Sequence, residues 1–345
     1  GHSYICTEHI NMVVAKKFVL GKPFSGPATD ENIKLEEEEL PALKDGEVLF
    51  KAEFLSVDPY HRIRMEKSAV PTGTVMIGEQ AARVIESKNS EYKVGETYLV
   101  DSGWYTHSVV TPGENPRIKV KPLKDYGMSL SLALGVLGMP GATAYLGVTE
   151  VLKPKEGDVL YVNAAAGAVG SAVGQIAKIL GCKVIGCAGT PEKIAWLKQI
   201  GFDVVFNYKT DNLSKELSEA APNGIDCFFD NVGGESRNTI LENHMAPGGR
   251  VGICGGISGY SNLDKDKISV SFWKFLSLRL SIMPIVVYQY SDEQWRNGFD
   301  KMAKWIKEGK LHYKETVTSG FENSKSAFFG LFSGGNTGKA IVKVK

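Results

Sequence analysis

A glycine-rich turn follows a short apolar run near the middle of the chain. The run Asp158–Asn163 reads DVLYVN and is followed by AAAGAVGSAVG. Small residues at such a turn let the backbone approach a pyrophosphate, and the start of a helix favours that anion. The motif is a variant of the dinucleotide fingerprint, with Ala164 in the first glycine position and Gly167 and Gly170 in the other two. Glycines also serve plain tight turns, and the motif alone leaves that alternative open.

The residues after the next strand-like run bear on which dinucleotide binds. NAD enzymes need an acid there for the adenosine ribose diol, and the segment CAGT that ends at Thr190 contains none. The backbone of Gly189, the hydroxyl of Thr190 and the ammonium of Lys193 stand instead where a 2′-phosphate would lie. The pattern favours NADP(H). Lys193 on a solvated helix face is the alternative, and the adjacent Glu192 weakens the case.

The residue types that could bind a metal or form disulfides are scattered along the sequence. His61, His107, His244 and His312 share no local cluster, and each fits a surface position or a hydrogen-bonded place in the core. Five cysteines, at positions 6, 182, 187, 227 and 254, are odd in number and mostly occupy apolar runs. We therefore expect neither a metal site nor a disulfide framework.

Strand-like and helical runs alternate for more than a hundred residues after the turn. An apolar stripe at helical spacing begins the first helix, at Val169, Val173, Ile176 and Leu180. The later strand-like runs are 183–187, 204–206, 227–229, 250–254 and 281–283, and the amphipathic stretches are 191–200, 211–220 and 235–245. Alternation of this kind predicts an α/β fold with a doubly wound parallel Rossmann sheet.

Length and composition indicate two globular domains. The chain has 345 residues, 43% of them hydrophobic and 23% charged, with a formal net charge of +1. That balance excludes nucleic acid or an anionic membrane as the main partner, and Glu36–Glu39 is expected to be a solvated face. No stretch is long and apolar enough to span a bilayer, and no leader is recognised. We expect a cytoplasmic protein, with residues 1–11 a cloning remnant ahead of Met12.

The two predicted domains differ in pattern. Residues 12–136 contain strand-like runs such as 47–50 and 96–100 between Gly, Pro and Asp, which favours a mainly β domain. The last run, 340–344, is also strand-like and follows a helical segment at 292–309, so residues 310–345 are expected to return and complete that first domain. The dinucleotide domain then spans residues 137–309. We therefore expect the active site in the cleft between the two domains.

Several ungapped motifs resemble the medium-chain dehydrogenase/reductase family, in its zinc-independent branch. They are SVDPY at 56–60, GMPGATAY at 138–145, VNAAAGAVG at 162–170, GFDVVFNY at 201–208, FDNVGG at 229–234 and NTGK at 336–339. The resemblance runs from about Met12 to the end. Zinc-dependent relatives place a Gly-His-Glu element where this chain reads Gly78-Glu79-Gln80, which again predicts metal-free hydride transfer.

The resemblance implies a GroES-like catalytic domain, a homodimer, and NADPH-dependent reduction of the carbon–carbon double bond of α,β-unsaturated ketones and aldehydes. It extends to 15-oxoprostaglandins and 2-alkenals as substrates and to NADP-linked oxidation of the leukotriene B4 12-hydroxyl. The implied cofactor contacts are Ala166, Gly167, Ala168, Val169, Gly170, Gly189, Thr190, Lys193, Tyr208, Asn231, Cys254, Gly255, Gly256, Ile257, Ser258, Tyr260, Ile285, Val286, Val287 and Asn336.

Double-bond reduction without a metal leaves an enolate oxygen that needs hydrogen-bond donors. Tyr260 follows the fifth Rossmann strand and is the predicted catalytic donor, beside the ribose hydroxyl of the cofactor; a tyrosine that only caps a loop is the alternative. Tyr60 and Tyr288 are candidate substrate-pocket walls, although each also fits a packed aromatic. The run 278–288 would take a lipid chain, a core strand or a dimer contact, and segment 261–275 departs most from the family pattern.

Functions of other classes remain to be weighed. A serine hydrolase would need a G-x-S-x-G elbow, and none is present. A general NADPH quinone reductase would share the cofactor residues and differ in its pocket lining. A non-catalytic NADPH-binding protein of the crystallin type would share the fold.

Overall fold

The computed structural model describes residues 12–66, 70–260 and 266–345. Residues 1–11 and the beginning of segment 261–275, about which the sequence made predictions, lie outside these ranges. In chain order the described strands are β1 (Val14–Leu20), β2 (Ile33–Glu39), β3 (Val48–Ser56), β4 (Gln80–Ser87), β5 (Thr97–Val100), β6 (His107–Val110), β7 (Val120–Pro122), β8 (Val159–Val162), β9 (Lys183–Ala188), β10 (Val204–Asn207), β11 (Ile225–Asp230), β12 (Met245–Ile253), β13 (Ser281–Pro284), β14 (Glu315–Ser319) and β15 (Lys339–Lys343). The described helices are α1 (Tyr60–Glu66), α2 (Met139–Leu146), α3 (Ala168–Ile179), α4 (Pro191–Gln199), α5 (Leu213–Ala220), α6 (Gly234–Asn243), α7 (Phe272–Ser277), α8 (Asp292–Lys307) and α9 (Ser324–Phe332).

The strands β8 to β13 form one parallel sheet in the order β10-β9-β8-β11-β12-β13. Counted from the strand before the glycine-rich turn, this is the order 3-2-1-4-5-6. The order reverses between β8 and β11, where a doubly wound sheet binds ligands at the carboxyl ends of its strands. The prediction of a Rossmann sheet is confirmed, and its switch point lies at the predicted dinucleotide turn.

The central strands of this sheet read as nearly continuous apolar runs because both of their faces are covered. Tyr161 in β8 is 1% exposed, and Phe228 and Phe229 in β11 are fully buried. The helix after the turn is buried through Val173 and Ile176, as its apolar stripe predicted. The stripe was wrong at Leu180, which is 37% exposed, because α3 ends at Ile179 and the chain turns at Gly181 toward β9.

A second, mostly antiparallel sheet has the order β14-β15-β3-β4-β5-β7, and β6 also pairs with β3. The last strand, β15, runs antiparallel to β3 with Ile341 opposite Ser56, so it lies in the same sheet as β3 to β7. The chain passes from this sheet to the parallel sheet between β7 and β8 and returns between β13 and β14. The domain boundaries at 136 and 309 stay a prediction. Strands β1 and β2 form a separate antiparallel ribbon, in which Glu36 and Glu37 are exposed as predicted.

Within the described ranges, no helix is both long enough and apolar enough to cross a membrane.

Candidate functional site

The glycine-rich turn is built from backbone geometry that only small residues permit. Ala164 adopts a φ of 45°, a left-handed conformation that costs an L-residue about 1–2 kcal/mol. A Cβ at Gly170 would collide with the Ala164 carbonyl oxygen and come within 2.8 Å of the Ala165 Cα. Helix α3 begins at Ala168, with Gly167 as its N-cap. The first N–H groups of such a helix have no partner within it and form an anion site.

The C-terminal part of the chain closes over this turn. The Gly338 N–H donates to the Ala166 carbonyl at 2.7 Å, and the Asn336 Nδ2 donates to the Gly338 carbonyl at 2.8 Å. Gly338 has a φ of 67°, and a Cβ there would overlap the Lys314 carbonyl. Asn336 is thereby placed beside the turn, although some 170 residues separate the two in sequence.

The predicted 2′-phosphate residues gather after β9. The Thr190 hydroxyl caps α4 by accepting from the Lys193 N–H, while the Lys193 ammonium donates to the Gly334 carbonyl at 2.7 Å. The Tyr208 hydroxyl lies 2.8 Å from where a Cβ on Gly189 would stand, and Tyr208 is 54% exposed.

Sequence reasoning missed a second cation at this place, Lys209. Its methylene next to the ammonium lies 2.9 Å from the same Cβ position on Gly189. Burial, followed by repulsion from Lys209, lowers the pKa of Lys193. The phenol and the side chain of Lys209 lie against Gly189, and the Lys193 ammonium is close enough to repel Lys209. Two ammonium groups and a phenol suit a phosphate dianion. The position of Lys209, next to Tyr208 in the sequence, was the available signal.

A buried polar network fixes the loop after β11. The Asn163 Nδ2 donates to Asp230 Oδ1 at 2.6 Å, and the Asn231 N–H donates to Asn163 Oδ1 at 2.6 Å. Asp230 is fully buried and also accepts the N–H groups of Val232 and Gly233. The predicted contact Asn231 is therefore held by Asn163 and Asp230, two residues that sequence reasoning did not select although both lie within or beside the quoted motifs.

Tyr260 lies against the glycines that follow β12. Its hydroxyl accepts from the Gly256 N–H at 3.4 Å and lies 2.9 Å from where a Cβ on Gly255 would stand. Burial raises the pKa of the Tyr260 phenol. The Cys254 N–H donates to the Asp230 carbonyl at 2.8 Å, and the Ser258 hydroxyl donates to the Val232 carbonyl at 2.7 Å. The structure thus brings Tyr260 and the 254–258 loop together with the loop that contains Asn231.

The segment after β13 alternates in its exposure. Ile285 is 7% and Val287 5% exposed, and both belong to the core of the Rossmann sheet. Val286 and Tyr288 are 48% and 53% exposed. Of the alternatives for this run, burial in the core therefore holds for Ile285 and Val287. A contribution of these two residues to a cofactor site would come from the backbone.

A large cleft lies between the second sheet and helix α8. Its volume is about 1250 Å³, and Tyr60 and Tyr288, the two predicted pocket walls, both line it. The aromatic rings of Tyr126, Tyr290, Trp295 and Phe299 line it as well. Tyr260 is not among the described residues that line the cleft, so the three predicted substrate contacts divide between the cleft and the 254–258 loop.

Polar contacts join the two sides of this cleft. The Lys121 ammonium lies 2.6 Å from Asp292 and the Lys124 ammonium 2.7 Å from Asp300, both on α8. The Tyr126 hydroxyl donates to the same Asp300 at 2.7 Å. These exposed ion pairs contribute little energy individually. Together they fix the position of α8 relative to the segment after β7.

A buried ion pair links the second sheet to the glycine-rich turn. The Lys339 ammonium donates to Asp58 Oδ1 at 2.9 Å and to the Val57 carbonyl at 2.8 Å. Burial disfavours the Asp58 carboxylate, but the charges of Lys339 and His61 hold its pKa below the usual value. Gly338, the residue before Lys339, contacts the turn through Ala166. Removal of one partner of such a buried pair is strongly destabilising.

Three of the described histidines contact different groups. Burial lowers the pKa of His61 to about 4, and its Nε2 lies 3.8 Å from Asp58. His244 contacts the Ser214 hydroxyl at 3.1 Å, and His107 contacts Thr106 at 3.2 Å. Among the residues described, no three His, Cys, Asp or Glu side chains form a group that could hold a metal ion.

Two family descriptions match the chain. "N-terminal domain of oxidoreductase" matches residues 16–118, and "Zinc-binding dehydrogenase" matches residues 168–307. The side chains described here do not supply the ligands for the zinc that the second description names.

Known proteins resemble the chain over nearly its whole length. It is 49% identical to prostaglandin reductase 1 of Bos taurus over 333 residues, covering 96% of this chain and 100% of that protein. It is 37% identical to the NADP(+)-dependent 2-alkenal reductase of Nicotiana tabacum, covering 96% of each. The structure of CurA from Vibrio vulnificus in complex with NADPH matches with a TM-score of 0.86 and 36% identity, covering 96% of this chain and 99% of that one.

Proposed function

The chain belongs to the medium-chain dehydrogenase/reductase family, and we propose that it uses NADPH to reduce the carbon–carbon double bond of α,β-unsaturated ketones and aldehydes. The observation that carries this function is that one chain combines a dinucleotide turn, two lysines that suit a 2′-phosphate, and an aromatic-lined cleft. The solved relative CurA binds NADPH, and the relatives above are reductases named for prostaglandin and 2-alkenal substrates.

The residues of the dinucleotide site suit NADPH. The turn at 164–170 and the start of α3 would hold the pyrophosphate, and Lys193, Lys209 and Tyr208 would hold the 2′-phosphate. When bound, NADPH supplies the hydride that is added to the β-carbon of the substrate. Asn231 and the 254–258 loop, fixed by the buried Asp230, would orient the nicotinamide end.

The residues around the reacting carbonyl would stabilise negative charge on its oxygen. Tyr260 is the proposed donor of the 254–258 loop, and its raised pKa keeps the phenol protonated at neutral pH. A preorganised donor aimed at an oxygen that gains charge can contribute about 2.7–4 kcal/mol. The ribose hydroxyl of the cofactor would also donate a hydrogen bond to this carbonyl oxygen, so we assign Tyr260 a supporting and positioning role.

The size and lining of the cleft suit a lipid-derived substrate. Pockets for small ligands commonly span about 300–1,000 Å³, and this cleft is larger, with both aromatic and basic side chains in its wall. We propose 15-oxoprostaglandins and 2-alkenals as substrates. NADP-linked oxidation of the leukotriene B4 12-hydroxyl would be a second reaction of the same site.

The edge of the parallel sheet and a neighbouring apolar surface support a homodimer. Strand β13 is the last strand of its sheet. In the adjacent helix α7, Phe272 is 77% and Trp273 71% exposed. A sheet edge next to exposed aromatic rings is a favourable surface for a second copy of the chain. A homodimer mass by light scattering, lost in Trp273→Glu, would agree with this proposal; a wild-type monomer would refute it.

We propose the cytoplasm as the compartment. The described cysteines Cys182, Cys187, Cys227 and Cys254 are free thiols, and reduced thiols persist where the environment is reducing. Fractionation of cells that produce the untagged protein would test this, with recovery in a compartment other than the cytosol as the opposing result.

Steady-state assays with three substrates test the proposed reaction. Loss of NADPH absorbance is followed with a 15-oxoprostaglandin, a 2-alkenal and a quinone. We expect turnover of the first two at rates well above that with the quinone. Preference for the quinone would favour the quinone-reductase alternative, and binding of NADPH without turnover of any of the three would favour a non-catalytic protein.

A further inference from the structure

The side chain of Glu79 lies in the cleft beside the two tyrosines of its wall. Glu79 immediately precedes β4, and its carbonyl accepts the Ser56 N–H at 2.9 Å, which fixes its backbone to β3. It is half-buried and lines the same cavity as Tyr60 and Tyr288. No hydrogen bond to its carboxyl comes from the residues that the structure describes. The carboxyl is therefore available to a ligand in the cavity.

Acidic groups surround Glu79 from neighbouring elements. Asp101 follows β5 and lines the same cavity, and among the neighbouring charges it has the largest effect in disfavouring ionisation of Glu79. Asp58, in the turn between β3 and α1, acts in the same direction. Because both of these acids face the same region, a third negative charge there is unfavourable.

The cations near Glu79 are already engaged by other groups. Lys339 on β15 is bonded to Asp58 and to the Val57 carbonyl. Lys121 on β7 lies 2.6 Å from Asp292. Arg64 on α1 lies 5.8 Å from the centre of the Tyr60 ring and acts on Asp101. Burial, together with Asp101 and Asp58, raises the pKa of Glu79 to about 7 against the opposing effect of the two lysines.

The side chains of Tyr60, Tyr288 and Glu79, which all line the cleft, differ in what they can do with a proton. Burial raises the pKa of the Tyr60 and Tyr288 phenols above their ordinary value, so at neutral pH these phenols can donate hydrogen bonds but give up no proton. A carboxyl that titrates near neutrality can do both, since an acid is most effective when its pKa lies near the working pH.

We propose that the neutral Glu79 carboxyl is the general acid of the reduction: it donates a hydrogen bond to the carbonyl oxygen of the substrate and transfers its proton to that oxygen. This inference rests on the proposed function. Bound NADPH would supply the hydride, so a C–H bond of its nicotinamide would break as the new C–H bond forms at the β-carbon. The double bonds of the enone would shift toward the carbonyl oxygen, and that oxygen would take the proton released when the Glu79 O–H bond breaks. The resulting enol would lose its O–H proton to water while water delivers a proton to the α-carbon, and the Glu79 carboxylate would regain a proton from solvent, so that the net change is one hydride and one proton added to the double bond.

A general-acid role of Glu79 also explains why Tyr260 is expected to assist the reduction and not to be essential for it. With a carboxylic acid and a ribose hydroxyl available to the same oxygen, the loss of one phenol removes only part of the stabilisation. A second consequence concerns pH. The protonated form of Glu79 is present below its raised pKa and is lost above it, so the reaction should slow as the pH rises through about 7.

The test is the pH profile of kcat/KM for an uncharged 2-alkenal with saturating NADPH, between about pH 5.5 and about pH 9. In the wild type we expect a fall of about tenfold per pH unit above about pH 7. Glu79→Gln, which keeps a donor but has no proton to transfer, should remove this fall and lower the rate by about ten- to a hundred-fold at about pH 6. A Glu79→Gln variant that retains the falling limb would overturn the proposal.

Asp101→Asn gives a second test that does not depend on the Gln variant folding. Removal of the Asp101 charge should lower the pKa of Glu79 and move the falling limb to lower pH, an effect that a purely structural role of Glu79 would not produce. A limb that stays in place contradicts the proposal.

An infrared difference spectrum of wild type minus Glu79→Gln, recorded without cofactor or substrate, gives a readout besides activity. The stretching band of a protonated carboxyl should be present at low pH and vanish as the pH rises through about 7. Its absence at low pH would refute the neutral carboxyl. If the band behaves as expected and no enone is reduced by any form of the protein, the proposed function fails; if enones are reduced with the same pH profile in wild type and Glu79→Gln, the role of Glu79 alone fails.

Discussion

The dinucleotide turn and the substrate cleft are built in different ways. At the turn, consecutive residues of one segment supply the geometry, and backbone atoms determine what can bind; Gly170 is required because of the Ala164 carbonyl beside it. In the cleft, Tyr60, Glu79 and Tyr288 come from distant segments, and the proposed chemistry depends on their side chains. A site made of local backbone tolerates almost no change in residue type. A site made of distant side chains shares its work among several groups, and a single loss is expected to cost less.

The largest effect is expected at the turn, from Gly170→Val. The added side chain cannot fit beside the Ala164 carbonyl and the Ala165 Cα. Overpacking of this kind costs about 1–3 kcal/mol, which corresponds to roughly a five- to 150-fold weaker binding of NADPH if the strain falls on the bound state. Fluorescence titration of NADPH measures it. Gly330→Ala in α9, where a Cβ meets nothing within 4 Å, is the matched control and should bind normally. Normal binding by Gly170→Val would mean that close backbone approach is not what this site uses.

Lys193→Ala tests the 2′-phosphate site by removing a single charged side chain. A hydrogen bond from a charged group is worth about 1.5–3 kcal/mol, so NADPH should bind about ten- to a hundred-fold more weakly, and NADH should be nearly unaffected. Lys198→Ala, an exposed lysine of the same helix, controls for the loss of charge. Equal weakening of NADPH binding and NADH binding in Lys193→Ala would contradict the assignment of the 2′-phosphate site.

A smaller effect is expected at the carbonyl oxygen of the substrate, to which more than one group is proposed to donate a hydrogen bond. Tyr260→Phe should lower turnover of an enone by about three- to thirty-fold, below the range of about a hundred- to a thousand-fold for an unshared oxyanion donor. NADPH affinity should barely change, because the phosphate contacts lie elsewhere. Steady-state kinetics and cofactor titration on the same preparation separate the two quantities. Unchanged turnover would leave Tyr260 as a loop cap, and abolished turnover with normal NADPH binding would make it the essential acid in place of Glu79.

Metal removal should have no effect. The side chains described here form no group able to bind a metal ion, and the zinc sites of this fold need a fixed set of close ligands. Activity should therefore survive prolonged chelation, and elemental analysis should find no stoichiometric zinc. One tightly bound zinc per chain, lost together with activity, would contradict the metal-free reaction.

Sequence reasoning reached the local features of the fold and fell short of the distant ones. The Rossmann sheet and the dinucleotide turn followed from the alternation of strands and helices and from glycine spacing, both of which are properties of short segments. The order of the strands in the sheet was not predicted. Leu180 was misjudged because helical spacing does not reveal where a helix ends. Lys209 was overlooked although it adjoins Tyr208, since its approach to Gly189 depends on how β10 lies beside β9.

Less of the cleft than of the parallel sheet could be predicted from the sequence. Tyr60 and Tyr288 were proposed as pocket walls from their types alone, and both line the cleft. The unpartnered carboxyl of Glu79 and the pair Lys339–Asp58 were not foreseen, because each depends on contacts between elements far apart in the chain. Burial and neighbouring charge, which set the pKa of Glu79, exist only once the two sheets have folded.

The most direct test of the proposed reaction is the fate of a labelled hydride. The protein is incubated with a 2-alkenal and NADPH that has deuterium at the transferred position of the nicotinamide, and the product is identified by mass spectrometry and proton NMR. Hydride addition to the double bond predicts a saturated aldehyde with deuterium at the β-carbon. An unsaturated alcohol with deuterium on the former carbonyl carbon, or recovery of the alkenal unchanged, would contradict it.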